Sequence, residues 1–442
     1  MMTFASVPTA AQGASEPAWS QFQGGAAHTG AADGPPPPYR KVWELPLDAG
    51  REDVALGPVV SGDTAVVVTD GSVVALDVAT GAERWSVERD GEPGTPAIVD
   101  VEDAPAVVYP DGDDAETAVL VAVALEDGSP LWEAPLEAEP VGGVTVDDGR
   151  VFVVDEDGAV YAVEADDGGV AWTRRISGTV VAPPAASGGG LFVVAGASED
   201  GSSARIVGLD AATGDPLWPA VVPDVASAFG SAPSVDADSV IVALQDGVVY
   251  ALSVLDGSTS WSVRIAAFVS PLAAPAAPDG AIFVADRTGG LHRVGPGGRD
   301  WVFAFNERVL RQSPIVVDAA AAVVGFDDGG VGVVDVDTGH MTFRTAATGV
   351  AVTGMAVAGD VLLVAHGATG VPRVVGLATD PAGSLVDVTS PTDLDAPELV
   401  SSFAIAFVVV GLVVIVAGWL ARSRHQIRDP SRDSIDQTPE PG

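Results

Sequence analysis

Cysteine is absent from the 442-residue chain. That excludes disulfides, thiolate metal sites, cysteine nucleophiles and a lipid-modified N-terminal cysteine. Positive charge is also scarce. Lys+Arg number 21 against 61 Asp+Glu, a formal net charge of -40. Nucleic-acid binding needs clustered Lys and Arg to meet phosphates, so this chain would repel a polyanion. Lysine is reduced to Lys41 and asparagine to Asn306, and Glu-Arg follows the asparagine, so there is no N-glycosylation sequon. Arginine in place of lysine, with acid in excess, suits a GC-rich genome or a high-salt milieu whose ions screen the self-repulsion. The charge does not imply disorder, because 47% of the residues are hydrophobic and can build a core.

Long apolar runs are lacking too, with one exception. Residues 403–420 read FAIAFVVVGLVVIVAGWL, 18 uncharged residues, close to the ~20 that span a bilayer. Arg422, Arg424 and Arg428 follow, whereas Asp393, Asp395 and Glu398 precede. The positive-inside rule then predicts a single-pass helix over 401–420 in the cell membrane, with the N-terminal part outside and the tail in the cytoplasm. The expected organisation runs from a signal-peptide remnant (1–16) through an irregular Pro/Gly-rich lead-in (17–39) to a β-propeller (40–383). A linker (384–400), the helix and a disordered tail (421–442) complete it. The first 16 residues have the small side chains of a cleavage region without a basic start or an apolar stretch. The lead-in ends in four prolines, Pro35 to Pro38, and reads as irregular chain outside any core.

What is abundant is repetition. Tryptophan recurs at Trp43, Trp85, Trp132, Trp172, Trp218, Trp261 and Trp301, and Phe343 continues the series. A glycine stands four residues before each member from the second onward: Gly81, Gly128, Gly168, Gly214, Gly257, Gly297 and Gly339. Between these marks run Val-rich segments separated by Asp-Gly or Gly-Gly pairs, such as Asp157-Gly158, Asp246-Gly247 and Gly329-Gly330. Such pairs favour tight hairpins. Four short strands per repeat is one propeller blade, and no 3.6-residue apolar period competes with that reading.

Seven full repeats cover about 54–348, and 349–383 supplies three further strands without a Trp strand. An orphan Trp strand, RKVWELPLD (40–48), stands at the other end. The fold class expected is therefore all-β: an eight-bladed propeller of four-stranded blades, closed by the N-terminal strand, plus one transmembrane helix. Closure of this kind removes the exposed edges of an open sheet. The recurring tryptophans are read as scaffold packed between blades.

The pattern A-x-D-x-x-T-G-x-x-x-W, carried by Ala75, Asp77, Thr80, Gly81 and Trp85 and again by Asp210, Thr213, Gly214 and Trp218, resembles the pyrroloquinoline-quinone (PQQ) repeat. That repeat occurs in quinoprotein dehydrogenases and in BamB-type assembly propellers. The segment WSQFQGGAAHTG (19–30) is similar to one that often precedes the first blade in such proteins. For an enzyme, the resemblance implies an Asp general base, a Ca²⁺ held by Glu, Asn and Asp beside the quinone, and an Arg near its carbonyls. The chain departs from this in having no cysteine pair and a single asparagine. A non-catalytic scaffold that binds a protein partner at the cell surface is the reading adopted, with no cofactor and no metal. The alternatives are a PQQ/Ca-dependent dehydrogenase and a receptor for a small ligand or polysaccharide in the central channel.

Charge gives one candidate surface. Residues 91–170 carry 21 acids and one base, Arg150, whereas 258–312 carry four acids against Arg264, Arg287, Arg293, Arg299, Arg308 and Arg311. Arginine is enriched in protein interfaces, so these six are the candidate partner-binding residues. The acidic turns at 109–116 and 154–160 read as solvated hairpins rather than Ca²⁺ loops. His28, His292, His340, His366 and His425 show no metal-ligand spacing.

Overall fold

The short period of turn residues is realised as a ring of eight sheets. The computed structural model describes residues 19–382 apart from 48–54, 90–93, 113–116, 181, 197–203, 222–229, 266–274, 277–279, 287–288, 305–314, 318–319 and 368–370. The chain divides into Met1–Thr392 and Asp393–Gly442, and every described residue belongs to the first unit. The run at 401–420 lies outside the described residues, and among those described no helix is long and apolar enough to cross a membrane.

Blade 1 shows the plan. Ala55–Ser61, Thr64–Thr69, Ser72–Asp77 and Glu83–Glu88 pair in sequence order, all antiparallel, from the channel outward. Blades 2 (97–135), 3 (140–175) and 5 (234–264) repeat it. Blade 4 has three regular strands, Ala185–Ser187, Gly190–Ala195 and Arg205–Asp210. Among the described residues its outer segment makes isolated bridges, Pro216 to Leu209 and Val221 to Ile206. Pro216 and Pro219 lack the N–H groups that a ladder needs, which accounts for the break. In blade 6 (282–304) the described part of the inner segment bridges from Ala276 to Phe283, and blade 7 comprises Ile315–Val317, Ala321–Gly325, Val331–Asp335 and Met341–Arg344. Blade 8 consists of Val352–Ala358, Val361–His366 and Arg373–Thr379, and Tyr39–Pro46 completes it as the outer strand. The closing register runs from Tyr39 opposite Thr379 to Pro46 opposite Arg373.

Antiparallel order puts the first-to-second and third-to-fourth turns at one end of the ring, here the turn face. The second-to-third turns and the links between blades lie at the other, the crossover face. The cores sit between blades. Val59, Val66 and Val73 of blade 1 cluster with Ile98, Val107 and Val121 of blade 2, and similar clusters fill the other joints.

The repeat motif has a mechanical reading. Asp77 Oδ1 accepts from Thr80 N–H and Oγ1–H at 2.9 and 2.7 Å, and Asp210 and Asp335 hold Thr213 and Thr338 the same way. The carboxylate thus closes the turn, as Asx side chains do. The bonds to Arg84, then those to Thr80, hold the Asp77 pKa down at about 2. Closing the turn presents Gly81 to the face of Trp43 in the preceding blade, and the next glycines meet Trp85, Trp132, Trp172 and Trp218. Each of these indoles donates its N–H across the joint to a backbone carbonyl three residues before the glycine: Val78, Leu125, Ala165, Ala211 and Val254. Trp301 meets Gly339 and donates to Val336 in the same manner.

Gly297 keeps the spacing without the contact. Its blade turns through Gly295 to Gly298 in a tight two-residue hairpin, too short to reach Trp261, and a Cβ at Gly297 would meet nothing within 4 Å.

Candidate functional site

The lead-in expected to be irregular chain outside the core is instead partly buried at the turn-face end of the channel. The reason is hydrogen-bond accounting. The inner strand of each blade has one edge in its sheet and one facing the channel, and unpaired N–H groups there must find partners. Residues 19–32 supply them. Trp19 O accepts from Val60 N–H of blade 1, Ser20 O from Ile98 of blade 2, Ala26 O from Ala186 of blade 4 and Ala27 O from Val235 of blade 5, all at 2.7 Å. The Gln21 side-chain amide imitates a strand on blade 3, donating to Val146 O at 2.9 Å and accepting its N–H at 2.7 Å. Ala31–Ala32 then pairs parallel with the inner strand Ile315–Val317 of blade 7.

Side chains anchor this path. Trp19 is buried in the cluster shared by blades 8, 1 and 7. Phe22 packs on Ala182 and Ala232 and meets the His28 ring edge to face, centroids 5.0 Å apart. His28 is fully buried. Its Nδ1–H donates to Pro233 O at 3.0 Å, and Nε2 lies 3.5 Å from Thr145 Oγ1, so the ring spans from blade 3 to blade 5. Thr145 commits its own proton to Pro184 O. Gln23 Oε1 is buried without a hydrogen-bond partner among the described residues.

Burial pushes the His28 pKa down to about 4 from 6.5, against the raising effect of the Pro233 bond. A histidine depressed in the folded state takes up its proton first in the unfolded chain. Its contribution is therefore intact above pH 6.5 and is lost as pH falls toward 4, by on the order of 3 kcal/mol. Urea midpoints measured from pH 7 to 4 should fall more steeply for the parent than for His28→Asn. Parallel curves would contradict this account.

Two further buried polar sites share one design. Asp155 ends the second strand of blade 3 and accepts from Ala159 N–H and the Tyr161 hydroxyl, at 2.8 and 2.9 Å. Asp286 in blade 6 accepts from Gly290 N–H at 3.0 Å and pairs with His292 Nε2 at 2.6 Å. The acidic turn at 154–160 is thus only partly the solvated hairpin expected: Glu156 and Asp157 are exposed, while Asp155 is fully buried. A D-x-x-G-x-x-Y or H spacing was the available signal. At the other acidic turn, Asp111 faces the buried Arg89 at 3.1 Å. Arg89 also donates to Thr69 O and Pro110 O across the joint of blades 1 and 2.

The three described candidate arginines stand at two different faces. Arg264 ends its strand at the crossover face, bonded to Asp246 O at 3.1 Å. Arg293 reaches the turn face, where it donates to Val336 O of blade 7 at 2.9 Å and lies 3.5 Å from Asp300. Arg299 is exposed at the same end. Arg287, Arg308 and Arg311 lie outside the described residues. Among the described residues no group of three or more His, Asp or Glu side chains is placed to hold a metal ion. The buried carboxylates Asp155 and Asp286 are already engaged, and Asn306 is not described. The described residues therefore do not make up the quinone and Ca²⁺ set that the resemblance implies.

A family model described as outer membrane protein assembly factor BamB matches residues 40–119 and 116–269. The outer membrane protein assembly factor BamB of Yersinia pestis is 25% identical over 239 residues, 51% of this chain and 58% of that protein. Its counterpart in Escherichia coli (strain K12) is 36% identical over 81 residues, 16% and 21% of the two chains. The chain spans about half the length of the first curated relatives it matches. Among solved structures, BamB from Moraxella catarrhalis aligns with a TM-score of 0.61 at 17% identity, over 79% of this chain and 100% of that one. A europium-containing methanol dehydrogenase aligns with a TM-score of 0.67 at 13% identity, over 82% and 98%. At these identities the likeness is one of fold.

Proposed function

This chain belongs to the BamB family of PQQ-repeat propellers, and from that premise we propose that it is a non-catalytic, protein-binding scaffold held at a membrane outside the cytoplasm. The observation that carries this reading is the state of the channel. The chain's own lead-in lies across one end, and the two buried carboxylates among the described residues, Asp155 and Asp286, are bound to neighbours. A rigid ring suits surface recognition, which repeat folds provide. The name of the relatives, an assembly factor, agrees with a protein partner. Membrane attachment rests on the apolar run at 401–420.

Of the three described candidate arginines, Arg264 and Arg299 are exposed, Arg264 bonded to Asp246 at the crossover face, and Arg293 serves the joint between blades 6 and 7; Arg299 is the position we choose for a partner contact. The test uses the full chain. With PQQ and Ca²⁺ added, no saturable rise in melting temperature and no dye-linked alcohol or sugar oxidation are expected, since a ligand of the native state must stabilise it. A photo-cross-linker at position 299 in cells should give a discrete protein adduct that Arg264 substitution does not affect. A saturable thermal shift with dye reduction would replace the scaffold reading by an enzymatic one. Deleting 401–420 should release the protein from the membrane fraction, and its retention there would refute attachment by that helix.

A further inference from the structure

The lead-in is attached to the ring as a ligand would be. Its backbone contacts run from lead-in carbonyls to N–H groups of four inner strands, at Val60, Ile98, Ala186 and Val235, a mode that reads main chain rather than sequence. Selectivity comes from four anchors: Trp19, Gln21, Phe22 and His28. Beyond Ala32, the proline run leads away to the closing strand, so residues 19–32 form a separate element from the ladder of Tyr39–Pro46.

Docking is also conformationally uneven. Gln23 and His28 both adopt a left-handed backbone with φ of 54°, where side chains other than glycine are uncommon. Gln23 Oε1 is buried without a partner among the described residues, and the His28 ring is shielded from solvent. A seat of this kind holds its occupant through a few anchors against local strain. Emptied, it would present open strand edges, which take up extended chain.

We propose that the channel-facing edge of the ring is a peptide-binding seat, filled in this chain by its own residues 19–32 and able to accept a second polypeptide segment with the same aromatic, glutamine and histidine anchors. Occupation in cis and in trans are mutually exclusive. The seat is distinct from the outer surface to which the scaffold reading assigns a partner, and either can fail without the other.

The probe is a fluorescent synthetic peptide of residues 17–33. The full chain carrying Trp19→Ala, Phe22→Ala and His28→Ala together should exchange the amides of Val60, Ile98, Ala186 and Val235 about 100-fold faster than the parent. Protection of the Tyr39–Pro46 ladder should persist. That variant should bind the peptide saturably and recover protection, whereas the parent, its seat filled, should not bind. A scrambled peptide should not bind either. Unchanged exchange in the variant, or lost protection without peptide binding, overturns the proposal. If the variant does not fold, the parent cut at a protease site placed at residues 33–34 decides. Labelled peptide must exchange into the cut ring, and a cut ring that never exchanges, or that loses the closing ladder, also overturns it.

Discussion

Replacing Gly81 by alanine is expected to destabilise the propeller by about 2–5 kcal/mol, the sum of a left-handed backbone cost and an overpacked contact. The position has φ of +70°, and the new Cβ would lie 2.4 Å from Trp43 Cε3. The indole cannot retreat. On its other side Gly376 approaches so closely that a Cβ there would also fall 2.4 Å from the ring. Its Nε1–H is tied to Val78 O at 2.9 Å. Because Trp43 belongs to the closing strand, the damage falls on the joint that seals the ring. Gly297→Ala is the matched control. It has the same place in the sequence repeat, yet its Cβ would meet nothing within 4 Å, so a change within about 0.5 kcal/mol is expected. Urea midpoints of the two variants decide the matter. Equal losses would mean that the repeat glycines act through some property other than the indole contact.

Trp218→Ala should be as severe, about 3–5 kcal/mol. This indole is buried at 4% exposure, lies against Gly257 of blade 5 and Gly208 of its own blade, and stacks on Phe192 at 6.3 Å. It does more than its counterparts, because among the described residues the outer segment of blade 4 has no regular ladder and makes the bridges at Pro216 and Val221. Losing the indole frees that segment and strands the Val254 carbonyl, whose bond is worth about 1 kcal/mol. Trp218→Phe should keep most of the packing and lose roughly that last amount. Trp261→Ala should cost less, since Gly297, the glycine at the repeat position, is not seated against Trp261. A Trp261 variant as unstable as the Trp218 variant would count against the joint as the source of the effect.

The ring itself was legible in the sequence because each blade must solve the same packing problem. A Gly-x-x-x-Trp pair marks one blade, its glycine facing the joint before and its tryptophan the joint after, and the count of such pairs with the orphan strand at 40–48 gives eight blades and their closure. The lead-in was not legible. Its burial depends on carbonyls from small residues such as Ala26 and Ala27 meeting N–H groups up to 208 residues away, and main-chain pairing leaves no periodic trace. Gly and Pro in such density also read as linker, and only Trp19 and Phe22 hinted otherwise. The described arginines of the candidate sector divide between two faces for a related reason. Sequence proximity places Arg264 and Arg293 in neighbouring blades but does not say at which end of its strand each stands.

The closing ladder also sets a timetable for synthesis. Glu44 bonds to Arg373, 329 residues further along the chain. At ~5–20 residues per second, the strand made first waits roughly 16–66 s for its partner to exist. The lead-in, with its two aromatic anchors, is made earlier still and meets its blades one after another as they emerge. A ribosome-bound chain therefore carries an unsatisfied strand while the 329 residues between Glu44 and Arg373 are made. The polar, alternating face of that strand, Arg40, Lys41 and Glu44 among its exposed or half-exposed residues, keeps it in solution until the last blade arrives.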